Sequence, residues 1–248
     1  MRSTPFRRGF WVILLAALLA AGITASLGFW QLRRAAYKEQ IQADIQAREG
    51  LEPLRNSALN GRLGTQEWLH RPAQLTGHWV PEATVFLDNR QMNGLQGFYV
   101  VTPLRLESDG RWLLVQRGWV QRDFMDRNKV PLVPTPTGLV TVEGRMADAP
   151  GKVYQLGEDA GGPIRQNLDL TAFAQEHKAL VLNGSLLQRS PLTGVAADGL
   201  LRDWPQVASG VQKHLGYAFQ WFGLCALIVI LYVWFQIIAP LRGKADKR

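Results

Sequence analysis

Two runs free of charged side chains bracket the chain, residues 10–30 and 215–239. Each exceeds the roughly 20 residues that a helix needs to cross the hydrocarbon of a bilayer. Trp11, Phe29 and Trp30 stand near the ends of the first run, where aromatic side chains sit at headgroup depth. A cleaved signal peptide is the rival reading of this run. Arg7 and Arg8 supply a basic start, and Ala20, Ala21 and Ala25 supply small residues near a cleavage site. The run is longer than most signal cores, which favours a retained helix. Transmembrane helices are therefore expected over 10–32 and 215–239, with Pro240 ending the second.

The formal net charge of +8 would suit a nucleic-acid binder if its cations were clustered. They are scattered instead. Arg2, Arg7 and Arg8 precede the first run, and Arg242, Lys244, Lys247 and Arg248 follow the last, as expected of cytoplasmic flanks. Lipid is thus the expected partner, and nucleic acid is not. Arg33, Arg34 and Lys38 beyond the first run weakly oppose this orientation, but a long following domain crosses largely regardless of its charge. A bacterial cytoplasmic membrane is expected, because no Arg- and Ser-rich leader precedes Phe10. Both termini are then cytoplasmic and the main domain periplasmic. The single cysteine, Cys225, excludes an intrachain disulfide and a Cys-x-x-Cys motif, and four methionines form no soft-ligand cluster for copper.

Between the runs the texture changes. Helical periodicity continues to Glu49 and breaks near Gly50 and Pro53. Strands are predicted over 72–80, 84–88, 97–106, 112–121, 139–146 and 179–188. Asn89-Arg90 closes the second of them, and Asn93-Gly94 and Asp109-Gly110 mark turns. Residues 130–136, with three prolines, read as a stiff connection, and 160–163 as a loop. A short helix capped by Asp169 or Thr171 runs to Lys178, and 194–210 is a weakly structured approach to the second run. The expected fold class is an α+β membrane protein. Its N- and C-terminal transmembrane helices flank a mainly antiparallel β domain over 40–210, an open sheet or a partly closed barrel.

Catalytic constellations are missing: there is no Gly-x-Ser-x-Gly elbow, no His-Glu-x-x-His helix and no phosphate loop. Residues 61–65 lack the lysine that such a loop requires and read as a turn. Asp123 and Asp126 lie among Arg122 and Arg127, which suits a solvated ion-pair cluster. Of four histidines, His70, His78 and His177 lack metal-ligand spacing. His214 stands at the head of the last apolar run, and on a helix it shares a face with Tyr217, Ala218, Trp221 and Cys225. Two readings are open there. One is an interfacial aromatic anchor with a wet histidine. The other is a haem site, since haem needs an axial ligand and an apolar wall, and only this site joins an imidazole to a membrane-depth aromatic face.

Four stretches then point to a family. They are Leu27-Gly28-Phe29-Trp30-Gln31-Leu32-Arg33-Arg34 with Lys38; Asp88-Asn89-Arg90 through Gly97-Phe98-Tyr99-Val100-Val101-Thr102-Pro103; Arg117-Gly118-Trp119-Val120; and His214 with Tyr217-Ala218-Phe219-Gln220-Trp221-Phe222. In this order between two terminal helices they resemble the surfeit locus protein 1 family of cytochrome c oxidase assembly proteins. Gln116, Gln121 and Val211-Gln212-Lys213 depart from the family's pattern. The resemblance implies a non-enzymatic assembly factor that binds haem a at His214 and assists its entry into the largest oxidase subunit, in contact with the haem a synthesis machinery. From charge and position, rather than from the resemblance, Tyr217 and Trp221 are expected to line the ring and Arg33, Arg34 or Lys213 to pair a propionate. The implied alternative is a cofactor-free scaffold that stabilises an assembly intermediate. The exit at Trp30 to Lys38 is expected to emerge on the same membrane face as His214, so that both helix mouths form one haem-receiving surface.

Overall fold

The structure is a computed structural model that describes residues 8–59, 65–151, 153, 162–190, 198–205, 210–240 and 242. It divides into two units, residues 1–43 with 206–248, and residues 44–205. The expected turn at 61–64 and residues 160–161 of the expected loop lie outside the described residues.

Helix α1 (Arg8–Glu49) carries the first apolar run and continues 42 residues without a breaker until Gly50. Its residues to Ala43 fall in the first unit. Helix α5 (Val211–Val233) begins after Gly210, whose φ of 91° no branched side chain would share. Both helices are long and apolar enough to cross a membrane. Neither is sheltered by its own protein: Leu15 is 70% exposed and Ile230 63%. An apolar surface left bare in this way suits lipid. The expectation that Pro240 ends the second helix is corrected, because residues 239, 240 and 242 are helical. A π-helical turn, Trp234–Ile238, precedes the proline, and the Ala239 N–H donates to Trp234 O. A widened turn beside a proline lets a helix bend past the missing donor rather than stop.

The second unit is built on α2 (Asn56–Leu59), α3 (Thr65–Trp68), β1 (Pro72–Trp79), β2 (Val85–Met92), β3 (Leu95–Leu106), β4 (Trp112–Gln121), β5 (Leu139–Ala147), β6 (Ile164–Arg165), α4 (Leu170–His177) and β7 (Val181–Gln188). The strand order is β1-β5-β7-β4-β3-β2-β6, and a further β1–β3 pairing closes five strands into a barrel. Pairings are antiparallel except β4–β7 and β2–β6. The expected class, two apolar helices flanking a mainly antiparallel domain, is what the chain adopts. β2 is longer than predicted. Asn89 takes φ 59°, a left-handed conformation that asparagine tolerates, so the register shifts between Leu87 and Arg90 and the strand resumes to Met92.

The first four residues of β4, Trp112 to Val115, are a continuous apolar run because both faces are covered there. Leu113 and Val115 enter the barrel core with Leu75, Leu104, Val142 and Leu186, whereas Leu114 joins Leu87, Val101 and Phe173 of α4 on the other side. Asp169 caps α4, accepting from the Thr171 and Ala172 N–H groups. Gln116, which departs from the family's pattern, is buried and donates to Ser185 Oγ of β7 at 2.8 Å.

The Arg117-Gly118-Trp119 motif is the hub of this unit. β3 pairs Val100 with Gly118 and Val101 with Gln116, so Arg117 is the extra residue of a bulge, a device that re-aims a side chain. Trp119 Nε1 donates to Arg90 O at 2.9 Å, and its backbone pairs with Leu201. Trp204 Nε1 donates to Gln188 O at 2.8 Å. Residues 198–205, expected to be weakly structured, are therefore pinned to the barrel by ordinary strand and side-chain bonds that no local pattern announces. A methyl group on Gly97 would lie 2.5 Å from the Trp119 ring and 2.2 Å from Val120 O. Gly97→Ala is expected to lower stability by about 1–3 kcal/mol, seen as a lower urea midpoint at unchanged m in the detergent-purified chain. An unchanged midpoint would show that the sheet yields there.

Candidate site at the paired helices

His214 lies in the first turn of α5, with its backbone N–H on Gly210 O at 3.2 Å. Its Nδ1 is 2.7 Å from Gln31 Oε1 on α1. Small residues bring the helices this close. Ala21, Thr24, Gly28 and Gln31 recur at helical spacing along one stripe of α1. The Phe222 ring sits against Gly28, where a Cβ would be 2.8 Å from it, and meets Phe29 edge-on at 5.2 Å. Cys225 Sγ donates to Ala21 O at 3.4 Å. Thr24 is buried, and its hydroxyl is satisfied on Ala20 O and Ala21 O at 2.9 and 3.0 Å. Such stripes are how apolar helices associate where no hydrophobic force acts between them.

The His214–Gln31 contact has a chemical consequence. An amide oxygen only accepts, so Nδ1 is the donor in this contact, and in the neutral imidazole Nε2 is the nitrogen that keeps its lone pair. Among the described residues nothing bonds Nε2. The imidazole is thus oriented and tautomerically set by a partner on another helix, the arrangement that prepares histidines for metal. Among the described residues no cluster of three or more His, Cys, Asp or Glu exists.

The other expected residues distribute around this contact. Trp221 is half-buried, like His214. Tyr217 is 52% exposed, since it lies about 100° round the helix from buried Ala218. Arg33, Arg34 and Lys213 are exposed, and among the described residues none forms an ion pair. Gln31 reaches the histidine, and its role was not read from sequence. The signal was present: it is the polar residue that ends the small-residue stripe three positions after Gly28.

The remaining histidines lie in the barrel unit, and His78 sits in β1 opposite Arg105 and Leu139. His177 packs on Phe173 with ring centroids 4.5 Å apart. His70 takes φ 65°, and its Nδ1 is buried without a partner among the described residues. Burial, then the charges of Arg145 and Arg48, hold its pKa below 6.5, against smaller opposing effects of Asp148 and Asp44. Between the folded value and 6.5 the unfolded chain binds more protons, so stability rises with pH through that window. It is complete above 6.5 and is lost as pH falls. His70→Asn, which keeps the left-handed backbone, is expected to flatten this loss in urea midpoints measured on either side of pH 6.5. An unaltered pH profile would rule the residue out as its source.

Asp123, placed by sequence in a charged turn, bonds Lys129 at 2.7 Å. That bond and the Met125 and Asp126 N–H groups hold its carboxyl at about 2. Arg122 turns instead to Asp88 at 3.5 Å. The Asp123–Lys129 pair is thus an exposed ion pair of the kind that contributes little, and Arg122–Asp88 is part-buried.

Two membrane-length helices paired at a histidine–glutamine contact, with a small closed barrel between them in sequence, define a helix-anchored barrel protein. The SURF1 family model matches residues 18–226, and the chain belongs to that family. A SURF1-like protein of Rickettsia bellii is 30% identical over 92% of both chains. Surfeit locus protein 1 of Mus musculus is 26% identical over 91% of this chain and 74% of its own. Cytochrome oxidase assembly protein SHY1 of Saccharomyces cerevisiae is 29% identical over 41% of this chain and 26% of its own.

Proposed function

We propose that the chain assists assembly of a haem a-containing cytochrome oxidase by holding haem a as cargo at His214 and delivering it to the largest subunit. The relatives named for surfeit locus protein 1 and for oxidase assembly support the process. The observation that carries the haem reading is the His214–Gln31 bond, which leaves Nε2 with a lone pair for iron at membrane depth. Gln31 orients the ligand, Trp221 offers an aromatic edge, and the exposed cations Arg33, Arg34 and Lys213 suit propionates. Tyr217, one turn along α5 from His214 and 52% exposed, offers the ring a further aromatic face. The chain sits in a bacterial inner membrane with both termini cytoplasmic and the barrel periplasmic, next to the enzymes that make haem a.

The test is complementation. Cells lacking the chain are supplied with wild type or His214→Ala, each verified at equal level in the membrane. Oxidase haem a is then read from reduced-minus-oxidised spectra. Wild type is expected to restore it and His214→Ala to leave it well below wild type. Full restoration by the variant would assign the chain to the cofactor-free scaffold.

A further inference from the structure

The barrel unit holds a second site whose chemistry the helix pair does not use. A cavity of about 900 Å³, within the range of small-molecule sites, is lined by Arg117, Arg202, Asp198, Trp79, Pro134 and Val140 among others. Arg117 is 2% exposed and the Arg202 side chain 1%, yet they share one carboxylate: Asp198 Oδ2 lies 3.4 Å from Arg117 Nη2 and 2.5 Å from Arg202 Nη2. Arg117 also donates to Thr135 Oγ1 at 2.6 Å and Pro134 O at 2.8 Å, and its guanidinium lies 5.0 Å from the Trp79 ring centroid. These contacts orient it without neutralising it. Nε of both arginines is buried and without a partner among the described residues. The other charges at the walls are accounted for. Arg189 pairs with Glu49 at 2.9 Å, and Glu143 is exposed and accepts from Gln74.

The buried balance is therefore two guanidiniums against one carboxylate, an excess positive charge that a low-dielectric site penalises unless an anion completes it. Arginine's planar fork matches carboxylate and phosphate, and Trp79, Pro134, Pro136 and Val140 supply an apolar wall. We propose that this cavity binds an amphipathic oxyanion, with its carboxylate or phosphate head between Arg117 and Arg202 and its apolar body on that wall. The bulge at Arg117 is the backbone device that aims the guanidinium there. A free organic acid from water and an anionic lipid headgroup share this chemistry.

The full chain, in detergent at constant ionic strength, is unfolded thermally with increasing hexanoate or inorganic phosphate. It is then unfolded in nanodiscs with and without phosphatidylglycerol. Two variants accompany it. Arg202→Met leaves Arg117 and Asp198 as a balanced pair, and Thr141→Trp fills the cavity from an exposed strand position. A saturable rise of the midpoint is expected in wild type. Its apparent affinity falls at least about tenfold in Arg202→Met, and the rise disappears in Thr141→Trp. Protection by the soluble anions identifies a free acid as the source, and protection by phosphatidylglycerol alone identifies the headgroup. No saturable protection in wild type, or equal protection in the variants, overturns the site. If Arg202→Met fails to fold, Thr141→Trp decides.

Discussion

Purified in detergent from cells that make haem a, the wild-type chain is expected to carry haem with a visible spectrum, and His214→Ala to lose it. One ring nitrogen would hold the iron. Gln31 Oε1 accepts the hydrogen bond from Nδ1–H, so in the neutral imidazole the lone pair on Nε2 is left for iron. Gln31→Leu tests the second half of this statement. It keeps the helix pairing at Gly28 and Phe222 but frees the ring to rotate and change tautomer. Loss of such an orienting partner costs about 10- to 100-fold in affinity, so Gln31→Leu is expected to retain part of the haem at high supply and little at low supply. A colourless wild type, or His214→Ala with full haem, would count against ligation by His214. Gln31→Leu binding as wild type would restrict the glutamine to helix packing.

The second large effect belongs to Asp198. Burial pushes its pKa up, but the hydrogen bond from Arg202, that from the Leu200 N–H and the two guanidinium charges outweigh burial and hold it below 3.8. Asp198→Asn removes the only carboxylate bonded to either arginine among the described residues and leaves two guanidiniums buried side by side. Breaking a buried pair in this way costs about 3–5 kcal/mol, a large part of a domain's stability. Arg202→Met, which leaves one charge of each sign, costs far less, and the double variant recovers part of the Asp198→Asn loss. The pH signature has a fixed sign. With its folded pKa depressed, Asp198 contributes stability that is present above 3.8 and lost as pH falls through the folded value. Asp198→Asn removes that acid limb. Urea unfolding across this range reads both effects, and a variant within about 0.5 kcal/mol of wild type would show that the two arginines do not depend on the carboxylate.

Both sites show where sequence reading stops. His214 was legible because one histidine at the head of a charge-free run is unusual wherever it lies. Its partner was not paired with it, because Gln31 is 183 residues away and its place at the end of the small-residue stripe does not say which residue it meets. Arg117 was legible only as part of a family-like stretch. That it is a bulged, buried cation sharing Asp198 with Arg202 depends on a contact across 81 residues.

The sequence by itself determined the elements whose cause is local. Uninterrupted apolar runs specify helices of membrane length, alternation and turn residues specify β1 to β5 and β7, and Asp169 specifies the start of α4. Tertiary structure alone decided what depends on distant partners. The β1–β3 pairing closed the barrel, the barrel core on one side and α4 on the other buried β4 on both faces, and the 198–205 segment bound Trp119. Local preferences come from each residue's neighbours in the chain and can be read along it. Barrel closure and the sharing of one carboxylate by two arginines are long-range pairings, chosen by the burial and charge balance of the whole fold.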